Sequence, residues 1–181
     1  MFDVAAIAAA AAPSAAAARR WCVQCHVLQE GRVVFAFLDA WRGALAARSG
    51  PLISALFRAD AEGGFAFRSP VVYAPYTTLE PVLAILDSVL VLLPDFRYHA
   101  VCVGRRGDAP HLVLEFAGTL RARDGRAMTV TGADFLTIDR RTGKITDFFV
   151  CVRPLGALTE LGQLMKARIE AMLAAPQRSK L

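Results

Sequence analysis

The spacing of apolar residues predicts four helices. Apolar positions recur at helical intervals in residues 34–45, 52–57, 79–93 and 158–172. Gly50-Pro51 separates the first helix from the second, Pro94 ends the third, and Pro154 begins the fourth. Thr77 and Glu80 have the spacing of a capping box, so we expect the third helix to begin there.

A second pattern, with a period of two residues, predicts strands. Apolar and other residues alternate in residues 65–73, 96–103, 111–120, 128–138 and 145–153. Pro70 indicates that the first of these is an edge strand or contains a bulge. Arg106-Gly107-Asp108, Asp124-Gly125 and Thr142-Gly143 carry turn chemistry between the last four segments, which therefore form a meander of hairpins.

The order helix, helix, strand, helix, four strands, helix predicts an α+β fold. Its natural architecture is a curved antiparallel sheet wrapped around the helices, with a cavity at the open end. We expect one domain, residues 32–174. It follows an Ala-rich, disordered segment, residues 1–31, and precedes a flexible tail, residues 175–181.

Composition and charge exclude several partners. The chain is 55% hydrophobic and 20% charged, with a net charge of +5. Its paired arginines lie beside predicted turns and have no interleaved aromatic residues, so we expect solvated hairpin ends and no nucleic-acid partner. The longest strongly apolar run, Val82 to Leu93, contains Asp87 and is too short to cross a bilayer.

The segment Trp21-Cys22-Val23-Gln24-Cys25-His26 has the spacing of a haem-attachment or redox motif. The strand that precedes a thioredoxin-like pair and a secretion signal are both missing, and a zinc site would need further ligands. We therefore expect free thiols and no metal or other cofactor. A redox or haem role through Cys22 and Cys25 is the last-ranked alternative.

The last three residues, Ser179, Lys180 and Leu181, match the tripeptide that the peroxisomal import receptor binds at a free C-terminus. In a eukaryotic source this predicts import into the peroxisome, with that receptor as a partner. In a prokaryotic source the match is a coincidence and a cytoplasmic location is expected.

Five stretches together resemble SnoaL-like proteins of the nuclear-transport-factor-2-like and ketosteroid-isomerase superfamily. They are residues 67–76, 95–98, 131–139, 143–145 and 152–155. The resemblance spans roughly residues 33–173. It implies a cone-shaped version of the sheet described above and a homodimer formed through the sheet face. The superfamily contains isomerases, cyclases, dehydratases, hydrolases and non-enzymatic binding proteins, so the fold does not give the function.

Asp134 is the strongest candidate for chemistry. It shares a strand face with the apolar residues Val130, Leu136 and Ile138, where a carboxylate is costly unless it is paired or protonated. The resemblance places it at the oxyanion-side aspartate of the family. The alternative is a structural ion pair with Arg97 or Arg153.

The resemblance also places Ser69 where the family has its general-base aspartate, and serine cannot replace that base. We therefore do not predict isomerisation of the steroid type. Tyr73 and Tyr76 are candidates to assist Asp134. Ser69, Tyr98, His99 and Arg153 are candidate ligand-binding residues. Each has a structural alternative, such as a tyrosine that covers the core or an arginine that holds the last helix against the sheet.

Two functions follow. The first is a pocket that binds a small, mostly apolar molecule and performs cofactor-free acid–base catalysis of the isomerase, cyclase, dehydratase or hydratase type. The second is a non-catalytic module that binds a small molecule or a protein.

Overall fold

The structure, a computed structural model, describes residues 28–58, 64–70 and 75–174. Within these residues the four predicted helices are present. They are α1 (Leu28–Ala46), α2 (Gly50–Ser54), α3 (Leu79–Leu92) and α4 (Leu155–Ala174). Helix α1 begins ahead of residue 32, the predicted start of the domain.

The starts of α2 and α3 differ in how they are capped. Ser49 accepts a hydrogen bond from the backbone N–H of Leu52, so its side chain caps α2. The N-cap of α3 is Thr78, whose side chain makes no capping bond. The predicted capping box of Thr77 and Glu80 is therefore wrong, because the helix begins one residue later and Glu80 falls one position too early to complete it.

The strands form one sheet in the order β1-β5-β4-β3-β2. Their bounds are β1 (Ala66–Arg68), β2 (Arg97–Arg106), β3 (Ala109–Arg121), β4 (Ala127–Ile138) and β5 (Ile145–Arg153). Strands β2 to β5 form the predicted antiparallel meander. The α+β class is confirmed.

The edge strand β1 departs from the expected antiparallel arrangement. It pairs in parallel with β5, with Phe67 opposite Phe148, so the sheet is mixed. Phe57 also pairs in parallel with Ile145, which shows that the chain already runs along β5 before β1 begins. The long path from β1 through α3 and three strands permits a parallel pairing, whereas a tight hairpin would not. Alternation of residues reports which side is buried and not the strand direction.

The helices cover one face of the sheet, and a cluster of aromatic rings fills the space between them. The ring of Trp41 on α1 lies 5.9 Å from that of Phe148 on β5 and 6.4 Å from that of Phe57. Phe67 on β1 lies edge-on to Phe148 at 5.0 Å. All four side chains are almost fully buried. This cluster fixes α1 over β5 and closes one side of the site described below.

The other face of the sheet is open to solvent in the isolated chain. On β5, Asp147, Phe149 and Cys151 alternate with the buried row, and 38% of Phe149 is exposed. None of the described helices is long and apolar enough to cross a membrane.

Candidate functional site

A cavity of about 60 Å³ lies between the inner face of the sheet and helices α3 and α4. A volume of this size accommodates a few water molecules. The wall is apolar almost throughout. Its lining includes Leu86 and Val89 of α3, Leu161 and Met165 of α4, and Phe116, Val150 and Val152 of the sheet. Within the described chain, Asp134 is the only carboxylate of the lining.

Asp134 reaches the cavity because it lies on the inward row of β4. Its strand neighbours are Leu114 on β3 and Val150 on β5, both on the same face of the sheet. Only 5% of the residue is exposed. The apolar row that the sequence predicts is therefore present, with a carboxyl group at its centre.

The carboxyl group of Asp134 is held by a tyrosine and not by an arginine. The Tyr98 hydroxyl on β2 donates a hydrogen bond of 2.6 Å to Oδ2 of Asp134. The indole Nε1–H of Trp41 on α1 donates in turn to the Tyr98 oxygen at 3.2 Å. Arg153 pairs with Thr131, an odd-numbered position on β4, so it lies on the opposite face from Asp134. The alternative of a structural ion pair to Arg97 or Arg153 is wrong for the described chain.

Burial sets the protonation of this pair. It raises the pKa of the Asp134 carboxyl to about 7, and the hydrogen bond from Tyr98 opposes part of that rise. Burial together with the adjacent carboxyl raises the pKa of Tyr98 well above its usual value. Near neutral pH, Asp134 therefore exists in both forms, while Tyr98 keeps its proton.

Gly132 shapes the wall beside Asp134. A β-carbon at Gly132 would lie 2.4 Å from Cζ of Phe116 and 2.1 Å from the carbonyl oxygen of Cys151. Only glycine leaves room for the Phe116 ring to lie against β4 at this point. The ring then contributes to the cavity wall two residues from Asp134.

His99 is not part of the cavity because of a bulge in β2. The register between β2 and β3 shifts between Tyr98 and Ala100, leaving His99 as the extra residue. Its Nε2 lies 3.5 Å from Oε2 of Glu115, and both side chains are about half exposed on the outward side. The bulge keeps Tyr98 directed inward and places the predicted ligand-binding histidine on the other face.

The remaining candidates divide into three groups. Ser69 lines the cavity together with Tyr98 and Asp134, and its ligand-binding role stays a prediction. Tyr76 pairs through its backbone with Phe67 and is not among the described residues of the lining. The others lie outside the described residues: Tyr73, Cys22, Cys25 and the tripeptide Ser179, Lys180 and Leu181.

The contact between Trp41 and the candidate site was not predicted from the sequence. Its place in the helical stripe of α1 predicts a core position, and it is indeed 1% exposed. The indole N–H could have indicated this contact, because the N–H group of a buried tryptophan needs a hydrogen-bond acceptor. In the described part of the chain, no group of three or more His, Cys, Asp or Glu side chains could hold a metal ion.

Comparisons with known proteins agree with the fold. No family model matches the chain, and no curated protein matches it. A steroid delta-isomerase from Pseudomonas aeruginosa is 32% identical, with a TM-score of 0.65, and the match covers 82% of this chain and 97% of that one. An uncharacterised protein with a cystatin-like fold from Silicibacter pomeroyi is 26% identical, with a TM-score of 0.60, over 74% of this chain and 85% of that one.

The first match is close enough in sequence and coverage to establish the family. The chain belongs to the nuclear-transport-factor-2-like and ketosteroid-isomerase superfamily, as its five sequence stretches predict.

Proposed function

We propose that this protein binds a small, mostly apolar carbonyl, hydroxyl or epoxide compound, and that Asp134 performs cofactor-free acid–base chemistry on it. One observation carries the proposal. Asp134 is a buried carboxyl group in an apolar cavity, held by Tyr98, and its pKa is about 7. A group with a pKa near the working pH is suited to both donating and accepting a proton.

The two protonation states of Asp134 define the chemistry. The protonated carboxyl donates a hydrogen bond to an oxygen that gains negative charge, or donates its proton to a hydroxyl group that then leaves as water. The carboxylate then accepts a proton from carbon or from water. Isomerisation, cyclisation, dehydration and hydration all consist of such transfers. The apolar wall strengthens them because it excludes competing water.

The steroid delta-isomerase is similar to this chain in fold and sequence, but we do not propose its reaction here. Ser69 occupies the position that the resemblance gives to a general-base aspartate. A cavity of about 60 Å³ also has to widen, by movement of side chains such as Leu86 and Met165, before a large ligand can enter. Smaller substrates are the better match.

The second candidate is a non-catalytic binding module. It is favoured by the composition of the described lining, in which Asp134 has no second carboxylate beside it. Asp134 would then have to remove a proton from one carbon atom and return it to another without the help of a second carboxylate. A pocket with one polar anchor in an apolar wall is also sufficient for selective binding of a ligand with one oxygen.

Native mass spectrometry of the purified protein, followed by turnover assays, separates the two candidates. The assays use a panel of small apolar ketones, secondary alcohols and epoxides, with gas chromatography as the readout. Catalysis predicts conversion by the wild-type protein and a loss of at least about 100-fold in the Asp134→Asn variant.

The Asp108→Asn variant is the control, because the Asp108 side chain is 99% exposed at a turn and does not line the cavity. Conversion that is equal in all three proteins would remove Asp134 from the mechanism. A co-purified ligand that survives incubation unchanged would favour the binding module.

We also propose, following the resemblance, that two copies associate through the outward face of the sheet. The exposed Phe149 ring, which lies 5.8 Å from that of Phe135, supports an apolar contact there. Import through residues 179–181 stays a prediction of the sequence.

A further inference from the structure

Two buried side chains, Trp41 and Asp134, and the half-buried Tyr98 between them form one hydrogen-bonded row that joins three elements. Trp41 of α1 donates to Tyr98 of β2, and Tyr98 donates to Oδ2 of Asp134 on β4. Trp41 is 1% exposed, and Asp134 is 5% exposed. The row leads from the core cluster of aromatic rings to the wall of the cavity.

The direction of each bond follows from the groups themselves. An indole nitrogen is a donor only, so the Tyr98 oxygen has to accept from Trp41. The same oxygen carries a single proton, which points to Asp134 at 2.6 Å. The row therefore presents a hydroxyl donor to Oδ2 of Asp134. A proton on Oδ2 would meet the Tyr98 proton at hydrogen-bond distance, so protonation on that oxygen is disfavoured.

The second carboxyl oxygen, Oδ1, has a different environment. Among the described residues, the hydrogen-bond partner of Asp134 is Tyr98, and it uses Oδ2. Asp134 itself lines the cavity. Apart from Tyr98, Asp134 and Ser69, the residues of the described lining are apolar, and they include Val150 of β5, Leu86 of α3 and Met165 of α4. The strand neighbour of Asp134 on β3, Leu114, is apolar as well. Tyr98 is the one titratable group of the described chain that faces Asp134.

We infer that Trp41 is a positioning residue: it fixes the Tyr98 hydroxyl as a donor to Oδ2 and thereby places the transferable proton of Asp134 on Oδ1. The position of the proton follows from the geometry, but its role in catalysis rests on the proposed function, in which Oδ1 is the oxygen that contacts the substrate. The ligand class narrows to molecules with an oxygen that accepts one hydrogen bond, such as ketones, ethers and epoxides. Trp41 acts through Tyr98 and does not touch the ligand.

The row can be tested without any substrate, by nuclear magnetic resonance of the full-length protein. The chain has two tryptophans, Trp21 and Trp41, and therefore two indole N–H signals. The signal that disappears in the Trp41→Phe variant is that of Trp41. In the wild-type protein we expect this signal to shift with pH, with the same midpoint as the carboxyl carbon of Asp134. The change in charge on Asp134 polarises Tyr98, which polarises the indole N–H.

Two variants break the row at different links. In Tyr98→Phe, the Trp41 signal should no longer titrate, and the Asp134 midpoint should rise by about one pH unit because the carboxylate loses a hydrogen-bond donor. In Asp134→Asn, Tyr98 and Trp41 are retained and the Trp41 signal should not move with pH. The second variant keeps the test valid if the first one folds poorly.

Trp41→Phe tests the positioning role directly. Without the indole donor, the Tyr98 oxygen can accept a hydrogen bond from a protonated Oδ2 of Asp134, so the protonated acid gains a new partner. The Asp134 midpoint should rise, by less than in Tyr98→Phe. Phe37→Leu is the matched control, because the Phe37 ring stacks on Trp41 at 6.0 Å and has no polar atom. It removes a similar amount of packing and should leave the midpoint unchanged.

The results distinguish this inference from the proposed function. The titration midpoint of Asp134 could be the same in the wild-type protein, Trp41→Phe and Tyr98→Phe. That result would overturn the inference that the three side chains are coupled, even if substrates are converted. A midpoint shift of equal size in Phe37→Leu would assign the effect to packing and overturn the positioning role. A titrating row in a protein that converts none of the panel would support the row and count against catalysis.

Discussion

The ring of Phe116 lies against the backbone of Gly132, at a place where any β-carbon would collide with it. Cζ of Phe116 would be 2.4 Å from that atom, and the carbonyl oxygen of Cys151 would be 2.1 Å away. The second contact is with backbone, so a side-chain rotation cannot relieve it. The shape of the cavity beside Asp134 therefore depends on one glycine.

We expect Gly132→Ala to lower the free energy of unfolding by about 3 kcal/mol, at the upper end of the usual cost of overpacking. Chemical denaturation measures this change. Gly104→Ala on β2 is the matched control, since the nearest atom to its β-carbon would be 4.0 Å away. The control should change stability by less than about 1 kcal/mol. Equal effects in the two variants would mean that Phe116 and β4 move apart without cost.

The burial of Asp134 makes stability depend on pH in a defined direction. Its pKa is about 7 in the folded protein, against the ordinary value of 3.8 for a free aspartate side chain. Between these two values the folded state binds more protons than the unfolded state, so stability falls as pH rises. The loss from this one group totals about 4 kcal/mol, most of it between pH 4 and pH 7, and it ends about one unit above pH 7.

The Asp134→Asn variant removes this titration while keeping an acceptor for Tyr98. We expect its free energy of unfolding to exceed that of the wild-type protein at pH 8, by more than it does at pH 5. Urea denaturation at several pH values measures the difference between the two proteins, which cancels the contributions of other groups. A difference that is constant from pH 5 to pH 8 would contradict a raised pKa.

The sequence predicts the position of Asp134 but not its partner. The alternation on β4 depends only on the local strand, so the inward direction of the side chain follows from spacing. Tyr98 lies on β2, and β3 separates β2 from β4 in the sheet. A bulge at His99 turns the Tyr98 side chain toward Asp134, and no residue in this stretch of the sequence predicts that bulge. The charge of Arg153 favours an ion pair, but its odd-numbered partner on β4 places it on the wrong face.

The direction of β1 and the role of Trp41 could not be predicted for a related reason. A short edge strand has the same alternation whether it runs parallel or antiparallel to its neighbour. Trp41 fits the apolar stripe of α1, so its burial is predicted while its hydrogen bond to Tyr98 is not. Both features depend on contacts between residues that are far apart in the chain, which spacing alone does not report.

The turn between α3 and β2 is held by a carboxylate. Asp95 accepts hydrogen bonds from the backbone N–H of Thr119 at 2.6 Å and from its hydroxyl at 2.8 Å. The first of these bonds is the main cause of the lowered pKa of Asp95. A lowered pKa means that the stabilisation is present above the unfolded value and is lost as pH falls through the folded value.

Asp95→Ala should therefore lower the free energy of unfolding by about 1 kcal/mol or more at pH 7, and by less at pH 3. Thermal unfolding at the two pH values checks the prediction. Asp108→Ala serves for comparison. The Asp108 side chain is 99% exposed, and its ion pair with Arg105 is long, at 3.8 Å, so its removal should cost little at either pH. If the cost of removing Asp95 were the same at both pH values, its hydrogen bonds would not depend on its charge.

The outward face of the sheet offers the last test, which concerns association. Phe149 on β5 is 38% exposed, and its ring lies next to that of Phe135 on β4. If two copies pack through this face, Phe149→Lys places a charge in an apolar contact and should convert a dimer into a monomer. Sedimentation or light scattering measures the mass. Phe35→Lys is the matched control, because Phe35 is also 38% exposed but lies on α1, away from the sheet. A wild-type monomer, or a dimer that survives Phe149→Lys but not Phe35→Lys, would show that the sheet face is not the contact.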